Sequence, residues 1–231
     1  MLRFQQYLEE GVNDPAIFKA VFLAGGPGSG KSFIVGKTGL TSMGYKVVNS
    51  DDAFEAAMKK ADMEMSPDNI FSPKGQELRG RAKRLTGTKQ ARYIKGRLGL
   101  VVDGTGKDPE KIANQAREVQ KLGYQAAMIF VNTDLDTALK RNRMRARSLP
   151  DKEVESYWKQ VQRNVGKFQR MFGQENFLVV DNSEGKNYEK ETLRAYRNVR
   201  KFTDKPVTKK AQKWIDTERA AIRQAGRKKS K

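Results

Sequence analysis

Five short apolar runs, separated by longer stretches of helical spacing, set the expected framework of the chain. Ala20-Val-Phe-Leu-Ala24 is continuous and runs into a glycine loop, after which Lys31-Ser-Phe-Ile-Val35 resumes at helical density, so strand, loop and helix are expected in turn. Tyr45-Lys-Val-Val48, Leu98-Gly-Leu-Val-Val102, Ala126-Ala-Met-Ile-Phe-Val131 and Phe177-Leu-Val-Val180 read as four further strands. Helices are expected over residues 53–63, 109–122, 135–144 and 151–172, the last with Val154, Trp158, Val161, Val165 and Phe168 on one stripe. Residues 76–96 read as a basic helical region broken near Thr86-Gly-Thr88, with Ser66-Pro and Ser72-Pro as punctuation before it. Residues 1–12 read as a short amphipathic helix. Apolar strands alternating with helices imply an α/β fold: a parallel sheet of about five strands, covered by helices on both faces, with ligands at the carboxyl ends of the strands. The informative polar clusters, Asn49-Ser-Asp-Asp52, Asp103-Gly-Thr-Gly106 and Asp181-Asn-Ser183, all fall at those ends.

At 231 residues with 37% hydrophobic content, the chain can bury one such domain plus appended helix. We expect the domain over residues 1–187, with an arginine-rich lid near 141–150, and a basic helical extension over 188–231. In the extension Val207, Ala211, Trp214, Ile215 and Ile222 keep helical spacing, while 226–231 reads as a disordered charged tip. No run approaches the roughly 18 apolar residues that span a bilayer, and MLRFQQYLEE carries charges where a signal peptide needs its apolar core. The expectation is a cytoplasmic protein, in the host cytoplasm if phage-encoded, with no membrane partner.

The absence of cysteine and histidine excludes disulfides, thiolate zinc sites and imidazole proton shuttles, so a general base must be a carboxylate or an amine. A net charge of +19 calls for a counterpart, and nucleic acid is the expected one, with DNA favoured over RNA. A merely solvated basic surface is the competing reading. Distribution speaks for a partner: residues 74–97 hold nine basic residues against one acid, and 201–231 hold eleven against three. Arg79, Arg84 and Arg92 in the first stretch are therefore candidate substrate contacts.

Gly25-Gly-Pro-Gly-Ser-Gly-Lys-Ser32 fits G-x-x-x-x-G-K-[ST] in full, between an expected strand and an expected helix. Backbone N–H groups released by Gly25, Gly26, Gly28 and Gly30, together with Ser29, would cradle the phosphates of ATP; Lys31 would balance their charge and Ser32 would ligate Mg²⁺. Asp51 and Asp52 follow the second strand directly, where a carboxylate can take a proton from an attacking hydroxyl. Ser50 or Asp51 can equally serve as a helix N-cap. Asp103 ends the third strand, where an acid can hold Mg²⁺, or where Asp103-Gly-Thr-Gly106 is simply a turn. Arg141, Arg143, Arg145 and Arg147 are spaced two apart, so one helical face cannot carry them all; some would turn inward to close over ATP, unless they are a solvated helix end.

The motifs GGPGSGKS, Asn49-Ser-Asp-Asp52, Val102-Asp-Gly-Thr105 and Leu139-Lys-Arg-Asn-Arg-Met-Arg145 together resemble the kinase domain of polynucleotide 5′-hydroxyl kinases and, more loosely, the zeta-toxin kinases. Their order also suits phage kinases that phosphorylate hydroxymethyl groups on pyrimidines in DNA. The resemblance covers about residues 18–181. It implies a catalytic base at Asp51, a lid arginine at Arg145, phosphate-binding groups at Lys31 and Ser32, and Arg141 near the adenine; Asp52 is expected beside the substrate from its place after the second strand. Polynucleotide kinases often carry a basic residue shortly after the acid pair, where this chain has Ala53, Phe54 and Glu55. The expected activity is ATP-dependent phosphorylation of a hydroxyl on nucleic acid. Its rivals are a small-molecule kinase for a nucleotide or nucleotide-sugar, and a non-catalytic nucleic-acid-binding module that holds ATP structurally.

Overall fold

The computed structural model describes residues 11–145 and 148–229. Nearly all of the helix expected over 1–12, Arg147 of the expected lid, and residues 230–231 of the tip lie outside them. In chain order the elements are β1 (Lys19–Ala24), α1 (Lys31–Lys37), β2 (Lys46–Val48), α2 (Ser50–Lys60), α3 (Pro67–Phe71), α4 (Pro73–Lys95), β3 (Leu100–Asp103) and α5 (Pro109–Lys121). Then come β4 (Gln125–Asn132), α6 (Leu135–Arg143), α7 (Asp151–Phe172), a 3₁₀ turn (Gln174–Asn176), β5 (Phe177–Asp181), α8 (Tyr188–Thr203) and α9 (Lys209–Lys229).

All five strands are parallel, in the order β2-β3-β1-β4-β5. A parallel strand covered on both faces must be apolar throughout, which is why the expected strands read as continuous runs. On β1, Ala20, Phe22 and Ala24 enter one core, where Val161 and Phe168 of α7 and Ala116 and Val119 of α5 meet them. Val21 and Leu23 enter the other, against Ile34 of α1 and Ala195, Val199 and Phe202 of α8. A separate small cluster, Phe54 and Met58 of α2 with Ile70 of α3 and Leu78 and Ala82 of α4, builds the helical arm beside β2.

Ser66-Pro, Ser72-Pro and Asp108-Pro each start a helix in the same way. Proline supplies a preset first residue, and the cap side chain accepts the N–H of Asn69, Gly75 and Lys111 respectively. Two expectations are corrected here. α4 runs unbroken through Thr86-Gly87-Thr88, because Gly87 takes no positive φ and threonine is tolerated on an exposed helix. α9 continues past Gly226 to Lys229 instead of giving way to a loose tip.

The start of α9 docks at the amino ends of the strands. Thr208 Oγ1 donates to Gly123 O at 2.9 Å, Trp214 meets Phe18 edge-on at 5.4 Å, and Ala211 and Ile215 are buried. The six residues of β1, at about 3.3 Å each, put about 20 Å between this docking point and the glycine loop. No helix among the described residues is long and apolar enough to cross a membrane.

Candidate functional site

The loop after β1 is shaped from both sides. Gly28 and Gly30 have φ of 74° and 82°, a region that disfavours side chains, and each is also closely covered. A Cβ at Gly28 would run into the carbonyl of Ala138 on α6, and one at Gly30 into the side-chain amide of Asn182 after β5. Ser29 is 2% exposed, and its carbonyl accepts from Asn182 Nδ2 at 2.8 Å and from Thr133 Oγ1 at 3.4 Å. Trp158 of α7, expected only as part of an apolar stripe, donates its indole N–H to Thr133 O at 2.7 Å. Arg141 Nη1 donates to Asn182 O at 2.8 Å, which holds this arginine against the β5 flank of the loop.

Lys31 opens α1 and folds back to donate to Gly25 O at 2.8 Å. Burial lowers its pKa from the ordinary lysine value, the positive charge of Arg145 adds to this, and Asp103 and Asp51 oppose it. One lysine therefore senses residues from three other segments of the chain, and that convergence defines the site. Asp103, at the end of β3, has its pKa raised by burial and by repulsion from Asp51 and Asp52, against the attraction of Lys31. Its Oδ1 is buried without a hydrogen-bond partner, as is Ser29 Oγ. The loop it begins is a well-tied turn as well: Gly25 N–H donates to Thr105 O, and the buried Asn164 amide donates to Gly106 O and Lys107 O at 3.0 and 3.1 Å. Asp103 thus opens a tied turn and keeps one buried carboxylate oxygen without a partner.

The cap of α2 is neither Ser50 nor Asp51 but Asn49, whose Oδ1 accepts the Asp51 N–H at 2.8 Å while its Nδ2 donates to Asp52 Oδ1 at 3.0 Å. Asn49 still has extended backbone, so the helix begins one residue later and both acids sit in its first turn. There they face the positive end of the helix dipole. Asp52 has its pKa raised, first by burial and then by Asp51 and Glu55.

The lid arginines diverge. The side-chain amide of Asn142, 1% exposed, donates to Leu149 O at 2.7 Å and accepts Leu149 N–H at 3.0 Å, closing the loop between them. Arg143 is held outside by an ion pair with Asp151, whereas the charge of Arg145 is felt at Lys31. Of the basic stretch, Arg79 lies over the Phe54 ring at 5.7 Å, so α4 brings a cation to the position that follows the acid pair. Arg84 and Arg92 are exposed and lie on a different side of α4 from Arg79. Lys74 is paired to Glu77 at 2.9 Å, and Arg97 is taken up between Phe18 and Trp214 at 6.0 and 5.6 Å.

Asn142, Asn164, Asn182 and Thr133 were not among the candidates from sequence. Asn182 and Asn142 fell inside the quoted Asp181-Asn-Ser183 and Leu139–Arg145 segments without being singled out, and Asn164 lies between Val161 and Val165 in the α7 stripe.

A family model described as an AAA domain matches residues 21–168. No curated protein matches the sequence. Among solved structures, a putative kinase from Chloroflexus aurantiacus is similar at a TM-score of 0.55 and 12% identity, over 79% of this chain and 97% of that one. The PezAT chromosomal toxin-antitoxin system of Streptococcus pneumoniae gives 0.52 and 13%, over 86% and 95%. The AvrRxo1-ORF1:-ORF2 structure with ATP gives 0.53 and 16%, over 78% of this chain and 63% of that one. These likenesses establish the fold, a P-loop kinase sheet with its flanking helices.

Proposed function

The chain belongs to the AAA domain family, and from that premise we propose that it transfers the γ-phosphoryl group of ATP to a hydroxyl on nucleic acid. The acceptor would be a 5′-hydroxyl end or a hydroxymethylated pyrimidine in DNA. The observation that carries the reading is the convergence of Asp51, Asp103 and Arg145 on Lys31, beside a phosphate-cradling loop. Asp103 would serve ATP binding through a metal, whereas Asp51 offers the proton acceptor that transfer to a hydroxyl needs.

In this reading Asp51 takes the proton of the acceptor hydroxyl, whose oxygen bonds to the γ-phosphorus as the bond to the ADP oxygen breaks. Lys31 and Arg145 stabilise negative charge on the transferring group. Asp52, fixed by Asn49, and Arg79, poised over Phe54, position the acceptor. The residues fit a bound Mg²⁺: Asp103 offers an unpartnered buried oxygen and Ser32 a hydroxyl at the start of α1. When bound, the ion would neutralise phosphate charge. Among the described residues no cluster of three acids could hold a metal by itself, so phosphate oxygens would complete the shell. An acceptor base within duplex would have to be flipped out of the stack first.

The nucleic-acid part rests on the charge of +19 and on basic α4 packed against the helix that bears Asp51. Incubation with γ-labelled ATP and a panel of acceptors tests it: 5′-hydroxyl DNA and RNA, hydroxymethyluracil and hydroxymethylcytosine DNA, mononucleotides and UDP-sugars. Label on DNA is expected. Label confined to the small molecules would replace nucleic acid as acceptor, and label on none would remove phosphoryl transfer.

A further inference from the structure

The outward face of α4 carries positive charge that almost no acid answers. At about 3.6 residues per turn, Arg81, Arg84, Thr88, Arg92 and Lys95 fall along one stripe, and all are exposed. The buried side, Gly75, Leu78 and Ala82, is turned elsewhere, onto the arm's own core. Glu77 begins the stripe: its carboxyl is held below the ordinary range first by the bond to Lys74, with Arg81 and Arg84 contributing, which puts both guanidinium groups on its side. No ion pair with Arg81, Arg84 or Arg92 occurs among the described residues.

A second observation concerns the backbone beside these arginines. Gly80 and Gly87 lie within the helix, neither at positive φ. A Cβ at Gly87 would meet nothing within 4 Å, and one at Gly80 only Arg84 Nη1 at 3.6 Å. Glycine inside a helix costs stability, and here neither conformation nor packing within the chain requires it. Close approach of a partner from outside would give it a use. With exposed Ala91 they form a smooth strip along the arginine row.

We propose that this face of α4 is where the sugar-phosphate backbone of the polynucleotide rests. The row from Arg81 to Lys95 spans about 21 Å, at about 1.5 Å per residue. Its guanidinium groups are strung out instead of converging, so they suit an extended polyanion and not a single small anion. Their planar forks match phosphate oxygens, and the bare strip lets a backbone settle between them. α4 also packs on α2, whose first turn bears Asp51, so this face belongs to the arm that carries the proposed base. The inference rests on the nucleic-acid reading and deepens it.

The test is fluorescence anisotropy with labelled single-stranded DNA, duplex DNA and single-stranded RNA across a salt series, alongside acceptor KM. The triple variant Arg81→Gln/Arg84→Gln/Arg92→Gln should lower the log–log salt slope by about 2 on single strands or about 2.7 on duplex, and raise acceptor KM at least tenfold. The larger drop identifies duplex as the form bound. Gly87→Leu should raise Tm, because leucine is the better helix former and the space is open, yet weaken binding several-fold. A merely structural glycine would not separate those readouts. If the wild type binds and phosphorylates polynucleotide but the triple variant keeps slope and KM, this face is not the path and the proposed acceptor stands. If the wild type phosphorylates only small molecules and binds no polynucleotide, both are overturned. Equal affinity for polyglutamate and oligonucleotide would also overturn the proposal, since the face would then read charge alone.

Discussion

Replacing Asn182 by alanine tests whether the glycine loop is held in shape from β5. The side chain gives one hydrogen bond, Nδ2 to Ser29 O at 2.8 Å, in a place where Asn182 is 7% and Ser29 2% exposed. Losing a buried hydrogen bond and stranding its partner costs about 1–3 kcal/mol. Thr133 Oγ1 stays near the same carbonyl, at 3.4 Å, so the lower half of that range, about 1–2 kcal/mol, is expected. If the loss falls on the loop, ATP Kd rises about 5- to 30-fold, at about 1.4 kcal/mol per tenfold. If it is spread over the domain, Tm drops by about 2–8 °C. Titration calorimetry with ATP and thermal unfolding of the free protein separate the two. Arg141 bonds the backbone carbonyl of Asn182, not its side chain, so its anchoring should be untouched. Asn182→Asp, which cannot donate and sets a carboxylate against Ser29 O, should be worse than alanine. An alanine variant that binds ATP within twofold of wild type, at unchanged Tm, would show that the loop holds its shape without β5.

Lys31→Ala should abolish phosphoryl transfer with the fold intact by circular dichroism; retention of more than a few per cent of turnover would take the loop out of the mechanism. Asp51→Asn should cut turnover by about 10²–10⁴ with little change in ATP affinity, and Asp52→Asn by less; the reverse order would move the base to Asp52. Asp103→Asn removes a buried charge whose pKa is raised, so Tm of the ligand-free protein should hold or rise while the added stabilisation from Mg-ATP shrinks; a simple fall in both would count against the metal-holding role. Lys19, 2% exposed, has its pKa lowered to about 8 by burial and by Lys205. Above that pH the native state sheds a proton that the unfolded chain keeps until about 10.4, so stability relative to Lys19→Met should rise between pH 8 and 10, by well under about 1.4 kcal/mol per unit. A flat difference between the two melting series across that window would refute it.

The sheet was legible because its signal is local and repeated. A strand buried on both faces can be built only from an apolar run, so the strands announce themselves, and the polar residues that close each run mark the loops. The helix start at Asp108 was legible because a cap and the N–H it binds are three residues apart; Ser66-Pro and Ser72-Pro read only as punctuation, although each caps a helix in the same way. Where two caps compete within a few residues the pattern is ambiguous. In Asn49-Ser-Asp-Asp52 every residue can cap, and only the backbone, extended at Asn49 and helical from Ser50, decides the matter. Thr86-Gly-Thr88 misleads in the other direction, since a glycine inside a helix weakens it without ending it when the flanking turns are sound.

The ties that hold the loops in place left no such signature, because they join residues far apart in sequence. Asn182 reaches Ser29 across 153 positions, Asn164 reaches Gly106 across 58, and only folding brings them together. Each is an amide bonding to a backbone carbonyl of a loop that has given up regular structure. This follows from what those loops must do. A phosphate cradle turns its N–H groups toward the ligand, so its carbonyls face back into the protein, where they need donors. An asparagine amide is a compact neutral donor suited to this, and it works here beside Thr133 and Lys31, which also donate to carbonyls of the glycine loop. A buried asparagine next to a strand end or inside an apolar stripe is therefore the feature to look for when a glycine loop is found. Here Asn182 carries that mark at a strand end and Asn164 in a stripe, and they tie the glycine loop and the loop after β3.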